Sequence, residues 1–193
     1  MVFKLELSNH ERYWPIFSGK IGSGLMLQDK DSYRFILENK GHLKAKLAPN
    51  YPSSIGHDLL DCDIYFYGHF PLFSARAFVT LNSMRCFTEC LTVVSIAGRT
   101  SPLYLFSANG GIDCISAESE FQIKGETPLF LVHAKFFEGM RLNCDIFWMK
   151  HPGYDRYLRE TFVTERFRQT WESAELVGAK FTEVGNLPDD ASD

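Results

Sequence analysis

The sequence predicts an α+β fold: a mixed, mostly antiparallel sheet with two principal helices, at about 75–87 and 165–173. Three observations predict it. Short runs alternate apolar and polar residues with the period of two that a half-buried strand requires. The turn signals Gly98, Ser101-Pro102 and Asn109-Gly110-Gly111 separate closely spaced extended runs, as in an antiparallel meander. Two amphipathic stretches begin at Ser74 and Thr164, hydroxyl residues that can cap a helix. Helices of this kind cover one face of a sheet.

Taken in order, Val2–Leu7 sets Phe3, Leu5 and Leu7 against Lys4 and Glu6 and reads as a strand. Residues 8–32, with Pro15 and three glycines, read mostly as loop. Tyr33–Leu37 and Leu43–Leu47 are further strands, and Ala48–Gly56, with Pro49 and Pro52, is a connection. Ile64–Tyr67 and Phe70–Phe73 are extended. After Ser74 the residues Ala77, Phe78, Leu81 and Met84 follow at helical spacing. The meander comprises Leu91–Ile96, Leu103–Phe106 and Ile112–Ile115. Pro128–His133 and Asp145–Lys150 are two more strands, with a short helical turn expected in Ala134–Met140. Tyr157–Val163 is extended, and Phe167, Thr170 and Trp171 follow the Thr164 cap at helical spacing. Ala179–Val184 is the final strand after the break at Gly178.

This organisation divides the chain into a β-rich N-terminal lobe at 1–57, a main domain at 58–184 and an acidic tail at 185–193, expected to be mobile because nothing apolar follows Leu187. One internal echo stands out. LFSARAFVTL at 72–81 and FVTERFRQTW at 162–171 align at a spacing of 90, with a hydroxyl cap, an Arg two residues later and a Thr six residues after the cap. Two similar strand-to-helix junctions account for it, with duplication as the alternative.

Composition bounds the function. Of 193 residues, 45% are hydrophobic and 23% charged, which excludes a disordered or collagen-like chain. No apolar run is long enough to cross a bilayer as a helix. Glu6 falls where a signal peptide needs its apolar centre, which implies a cytosolic protein. The net charge is −4; residues 1–70 carry eight charges of each sign, so the acidic excess lies in 71–193. That balance argues against direct nucleic-acid binding, which wants a basic patch, and suits a basic protein partner. The five cysteines, Cys62, Cys86, Cys90, Cys114 and Cys144, form no C-x-x-C, and a disulfide framework is not expected in the cytosol. They read as buried small hydrophobes, with Cys86 and Cys90 able to share a helix face.

Catalytic signals are weak. His57-Asp58 through Asp61-Cys62-Asp63 to His69 is the densest polar cluster and the one place for a metal-assisted hydrolase. The aspartates read more simply as the polar lead-in to the strand at Ile64. The glycines Gly19, Gly22 and Gly24 match neither a dinucleotide fingerprint nor a P-loop. Glu118 and Glu120 could serve acid/base work but read as solvated loop carboxylates. The aromatics, 17 Phe, 8 Tyr and 3 Trp, fall at expected core positions such as Phe66, Phe106, Phe130 and Phe147. No metal or other cofactor is expected. Residues 113–126 carry four carboxylates, Asp113, Glu118, Glu120 and Glu126, against Lys124 alone. An acidic loop on a rigid scaffold is a docking surface in outline.

The runs DLLDCDIYFYGHFPLFSARAFVTL, YLFSANGGIDCISAESEF, DIFWMKHP and YLRETFVTERFRQTWESAELVGAKFTEV resemble the bacterial immunity proteins of polymorphic toxin systems, specifically the family numbered eleven among them, formerly a domain of unknown function. The resemblance spans residues 58–184. It rests on the capped junction Phe73-Ser74-Ala75-Arg76, on Ile112-Asp113-Cys114 with Ser119, and on Ile146-Phe147. Val163-Thr164-Glu165-Arg166-Phe167 and Gly178-Ala179-Lys180-Phe181 complete it. What the resemblance implies is protection without catalysis: the protein binds a cognate secreted toxin domain in the producer's cytosol and blocks its active site or substrate channel. Many such toxins are nucleases with basic clefts, which an acidic inhibitor can occupy in place of phosphates. Asp113, Glu118, Glu120 and Glu126 are then the expected toxin-binding residues, with the tail aspartates Asp189, Asp190 and Asp193 as the rival element. The alternatives are a small enzyme, either the metal-assisted hydrolase around His57 and Asp58 or a glycan-active protein around its carboxylates, and a protein-binding module without a toxin.

Overall fold

A computed structural model describes residues 1–8, 43–45, 62–67, 69–96, 100–108, 110–124, 127–154, 156–158 and 160–188. In chain order the strands are β1 (Val2–Leu7), β2 (Leu43–Ala45), β3 (Ile64–Tyr67), β4 (Phe70–Phe73), β5 (Leu91–Ile96), β6 (Leu103–Phe106), β7 (Gly111–Ile112), β8 (Glu120–Lys124), β9 (Thr127–His133), β10 (Ile146–Met149), β11 (Thr161–Thr164) and β12 (Ala179–Gly185). Helix α1 is Ala75–Leu81 and α2 is Glu165–Ser173. The fold is α+β with mostly antiparallel sheets. One sheet runs β12-β1-β11-β10-β7, a second β2-β5-β6-β4-β3, and β8 pairs with β9 in a separate hairpin. The parallel pairs, β2 with β5 and β7 with β10, lie at the sheet edges.

The two large sheets contain the same unit twice. In one, β3 and β4 form an antiparallel pair, α1 follows, and β5 and β6 complete the order β5-β6-β4-β3. In the other, β10 and β11 form the pair, α2 follows and β12 takes the place of β5. The place of β6 is filled by β1, from the opposite end of the chain, antiparallel to both β11 and β12. Val2–Leu7, assigned by sequence to a separate lobe at 1–57, is therefore an inner strand of the sheet that also holds β7, β10, β11 and β12. The echo between 72–81 and 162–171 marks the shared β-α junction of these units.

Each junction is organised by a buried aspartate just before its first strand. Asp63 and Asp145 are 4% and 0% exposed. Ser74 Oγ donates to Asp63 Oδ1 at 2.7 Å while accepting from Ala77 N at 3.0 Å. Thr164 Oγ1 donates to Asp145 Oδ1 at 3.0 Å while accepting from Phe167 N at 3.4 Å. The caps predicted from sequence thus exist, and each aspartate holds its cap hydroxyl in the accepting rotamer. The arginine two residues on reaches back to the same carboxylate: Arg76 to Asp63 at 3.3 Å, Arg166 to Asp145 at 3.7 Å. Each carboxylate also accepts a backbone N–H from the turn after the other unit's helix, Val177 N to Asp63 Oδ2 and Arg85 N to Asp145 Oδ2, both at 2.9 Å. The aspartates therefore do two jobs: they orient the hydroxyls that cap their own helices and they join the units. The sequence reading of Asp63 as part of a polar lead-in is corrected by this burial. Ser74→Ala and Thr164→Ala should each cost about 1–2 kcal/mol, since each removes a cap and leaves a buried carboxylate oxygen short of a donor. Thermal unfolding checks this, with an expected fall of roughly 2–4 °C per kcal/mol at this chain length.

The core follows from the period-two faces. Phe3, Leu5, Ile146, Trp148 and Val163 face α1, α2 and the second sheet, and Phe73 meets Phe87, Phe167 and Trp171 edge-on with ring centroids 5.1, 6.4 and 6.3 Å away. The opposite parity, Val2, Phe147, Met149 and Phe162, packs beneath the segment that carries the hairpin, with Cys114, Ile115, Leu131 and Phe136. The sheet containing β1 is thus covered on both faces, which is why β10 and β11 are buried at every position.

Four expectations are corrected. The first helix ends at Leu81, not 87: Met84 N bonds Leu81 O and Phe87 N bonds Met84 O, and Cys86 takes a left-handed backbone (φ 64°), because Asp145 claims Arg85 N–H. The meander is two strands only, since residues 111–112 leave β6 to pair with β10. Cys86 and Cys144, 58 residues apart, form a disulfide across the same joint, with Cα atoms 5.1 Å apart. Their separation carries no sequence signal; Asp145, next to Cys144, draws Arg85 and hence Cys86 to it. Finally, Gly185 closes β12 opposite Val2, and Leu187 is half-buried against the second cluster, so the tail expected from 185 begins later. Tyr33–Leu37 and residues 189–193 lie outside the described residues.

Candidate protein-binding surface

Glu120–Lys124, read by sequence as loop, is a strand, and with Thr127–His133 it forms the hairpin that stands apart from both large sheets. Its pairing carries two register shifts, which twist it away from a flat ribbon. Ala134 N donates to Val184 O at 2.6 Å and ties the end of β9 to β12. Ile115 bridges Phe136, and Ser119 Oγ accepts Lys135 N at 3.0 Å, which folds the acidic segment against the base of the hairpin. Leu131 is buried in the second core cluster. Its neighbours in the strand must then face outward, and Phe130 and Val132 are 44% and 54% exposed. Phe137, just beyond the strand, is 42% exposed.

The sequence pattern predicts Phe130 in the core; the register places it on the surface. Leu129-Phe130-Leu131-Val132 is apolar at both parities, so periodicity could not say which side faces water. The carboxylates of the predicted site are only partly gathered. Asp113 is exposed in the loop after β7, and Glu120 is exposed at the start of β8, opposite His133. Glu118 is exposed too but forms an ion pair with Lys135, so its charge is compensated. Glu126, His57 and Asp58 lie outside the described residues. Of the polar cluster at 57–69, Asp63 holds the Ser74 cap hydroxyl, and His69 stacks on Phe70 at 4.3 Å and meets Trp148 edge-on.

Beneath the hairpin lies a buried charged group missed by sequence reading. Glu160, 7% exposed, accepts Leu131 N at 2.8 Å through Oε2 and pairs with Lys4 Nζ at 3.2 Å through Oε1. It anchors the hairpin to β1. Burial pushes its carboxyl pKa up, against the pull of Leu131 N–H and Lys4. For Lys4, burial works downward, and Glu160 with Glu6 outweighs it, so the amine is raised. A carboxyl raised in the fold binds its proton more tightly there than in the unfolded chain, so its contribution to stability falls as pH rises from about 4.5 through the raised value. His151, lowered mainly by burial, gives the opposite slope up to 6.5. Replacing Glu160 with Gln keeps an acceptor for Leu131 N–H and removes only the first slope. Stability measured against pH in wild type minus that in Glu160→Gln should therefore fall across that window; a flat difference would show that Glu160 is not perturbed.

Among the described residues, no helix is long and apolar enough to cross a membrane. No family model matches the chain, and no curated protein matches it.

Proposed function

We propose that this is an immunity protein: it binds a cognate secreted toxin domain in the producer's cytosol and blocks its active site or substrate channel, without catalysis. One observation supports the reading most. The hairpin presents Phe130 and Val132 to solvent, and the segment leading into it carries the exposed carboxylates Glu120, at the start of its first strand, and Glu118, paired with Lys135. A basic toxin domain, a nuclease among the candidates, has the complementary charge.

Rim charges set chiefly the association rate and apolar anchors the lifetime. Changing Glu118, Glu120 and Glu126 together to Gln should slow association with the cognate toxin domain by about tenfold at low salt, and less at high salt. Glu118→Gln also leaves Lys135 uncompensated, which adds to the effect. Phe130→Ala with Val132→Ala should instead speed dissociation by about tenfold or more, with little change in folding because both side chains are exposed. Surface plasmon resonance separates the two rates. Unchanged kinetics in both variants, with protection lost on deleting residues 189–193, would assign inhibition to the acidic tail instead.

A further inference from the structure

We infer that Cys86 and Cys144 form a reversible redox site, opened and closed by small thiols of the glutathione class, that controls the joint between the two sheet units. The inference goes beyond toxin binding and does not depend on it. Both cysteines are half-buried, so the disulfide can be approached from solvent, whereas Cys62, Cys90 and Cys114 are buried. Burial also pushes the Cys114 thiol up to about 12, which leaves it almost no nucleophilic thiolate.

The bond's position gives it a consequence. Cys86 follows Arg85, and Cys144 precedes Asp145, so the disulfide lies beside the contacts that Arg85 makes to Asp145 through its backbone N–H at 2.9 Å and its guanidinium at 3.1 and 3.3 Å. Cys86 itself holds a left-handed backbone, uncommon for a side chain other than Gly, Asn or Asp, and the turn has no regular ladder to hold it there. With the bond closed, the turn after α1 is fastened to the start of β10. With it open, the contact between this turn and the start of β10 rests on the Asp145 hydrogen bonds, while the buried Phe87 ring still holds the turn to the core.

The exchange balances without another reactant. A glutathione thiolate attacks one sulfur, the other leaves as a thiolate and takes a proton, and a second glutathione thiolate resolves the mixed disulfide. Overall one protein disulfide and two glutathione thiols become two protein thiols and one glutathione disulfide. In the reverse direction glutathione disulfide is the oxidant.

The test uses the full chain equilibrated in mixtures of reduced and oxidised glutathione, quenched in acid, alkylated and read by peptide mass spectrometry. The peptides holding Cys86 and Cys144 should convert together, in one transition within the mixtures, while those holding Cys62, Cys90 and Cys114 remain thiols. Persistence of the disulfide in the most reducing mixture, or of both thiols in the most oxidising one, would overturn the inference. Hydrogen exchange at Arg85 N–H tests the joint. It should be faster by about tenfold in reduced than in oxidised wild type. Equal exchange in the two states would show that the bond does not control the joint. Cys86→Ser and Cys144→Ser should each exchange like reduced wild type and lose the redox response.

Discussion

Asp145→Ala is expected to lower the unfolding free energy by about 3 kcal/mol, more than removal of either cap hydroxyl. The carboxylate is 0% exposed and takes hydrogen bonds from Thr164 Oγ1, Arg85 N and the Arg85 guanidinium, with Arg166 also in reach. The two arginines are about half exposed, so on losing their partner they return to water. The loss lies in the buried donors: the hydroxyl that caps α2 and the amide that ends α1. Burial alone would raise the Asp145 carboxyl, but the Arg85 and Thr164 hydrogen bonds outweigh it and hold the pKa below its ordinary 3.8. A carboxylate lowered in the fold contributes stability that is complete above the unfolded value and is lost as pH falls through the folded one. Urea unfolding of wild type and Asp145→Ala should thus differ most at neutral pH and converge in acid. A difference under about 1 kcal/mol at neutral pH would mean that the joint does not depend on this carboxylate.

Phe73→Ala is expected to cost about 3–5 kcal/mol, the range for emptying a buried aromatic site. Phe73 is fully buried at the end of β4 and meets Phe87 from the turn after α1, and Phe167 and Trp171 from α2. Those four rings come from both units, so the cavity cannot be closed by collapse of one unit alone. Phe73→Leu should recover more than half of the loss. If Phe73→Ala costs no more than Phe78→Ala, whose ring is half-buried and stacked on Tyr104, the shared aromatic centre is not what holds the units together.

The local elements were legible because their causes are local. Val2–Leu7, Ile64–Tyr67, Phe70–Phe73 and Glu165–Ser173 have the bounds expected from period and caps. The capping hydroxyls Ser74 and Thr164 were recognisable for the same reason, since a cap needs only its own helix's first turn. The end of α1 was not legible, because a carboxylate 60 residues away takes the N–H of Arg85. The strand at Glu120–Lys124 was missed because Glu118 and Glu120 look like solvated loop, and the ladder that makes it a strand is supplied by β9.

Of the candidate surface, sequence alone determined the acidic bias of residues 113–126 and the apolar character of β9. Tertiary structure decided which apolar residues meet water: Leu131 is drawn into the cluster beneath by Leu142, Phe147 and Phe162, so the pleat turns Phe130 and Val132 outward. It also decided the fate of the charges, compensating Glu118 with Lys135 and burying Glu160 against Lys4. The two-unit design and the Cys86–Cys144 bond belong wholly to tertiary structure. In the sequence Val2–Leu7 is simply an amphipathic strand, and Cys86 and Cys144 are simply two thiols. Which partners they find depends on contacts that close loops of 58 residues and more, and no local periodicity encodes those.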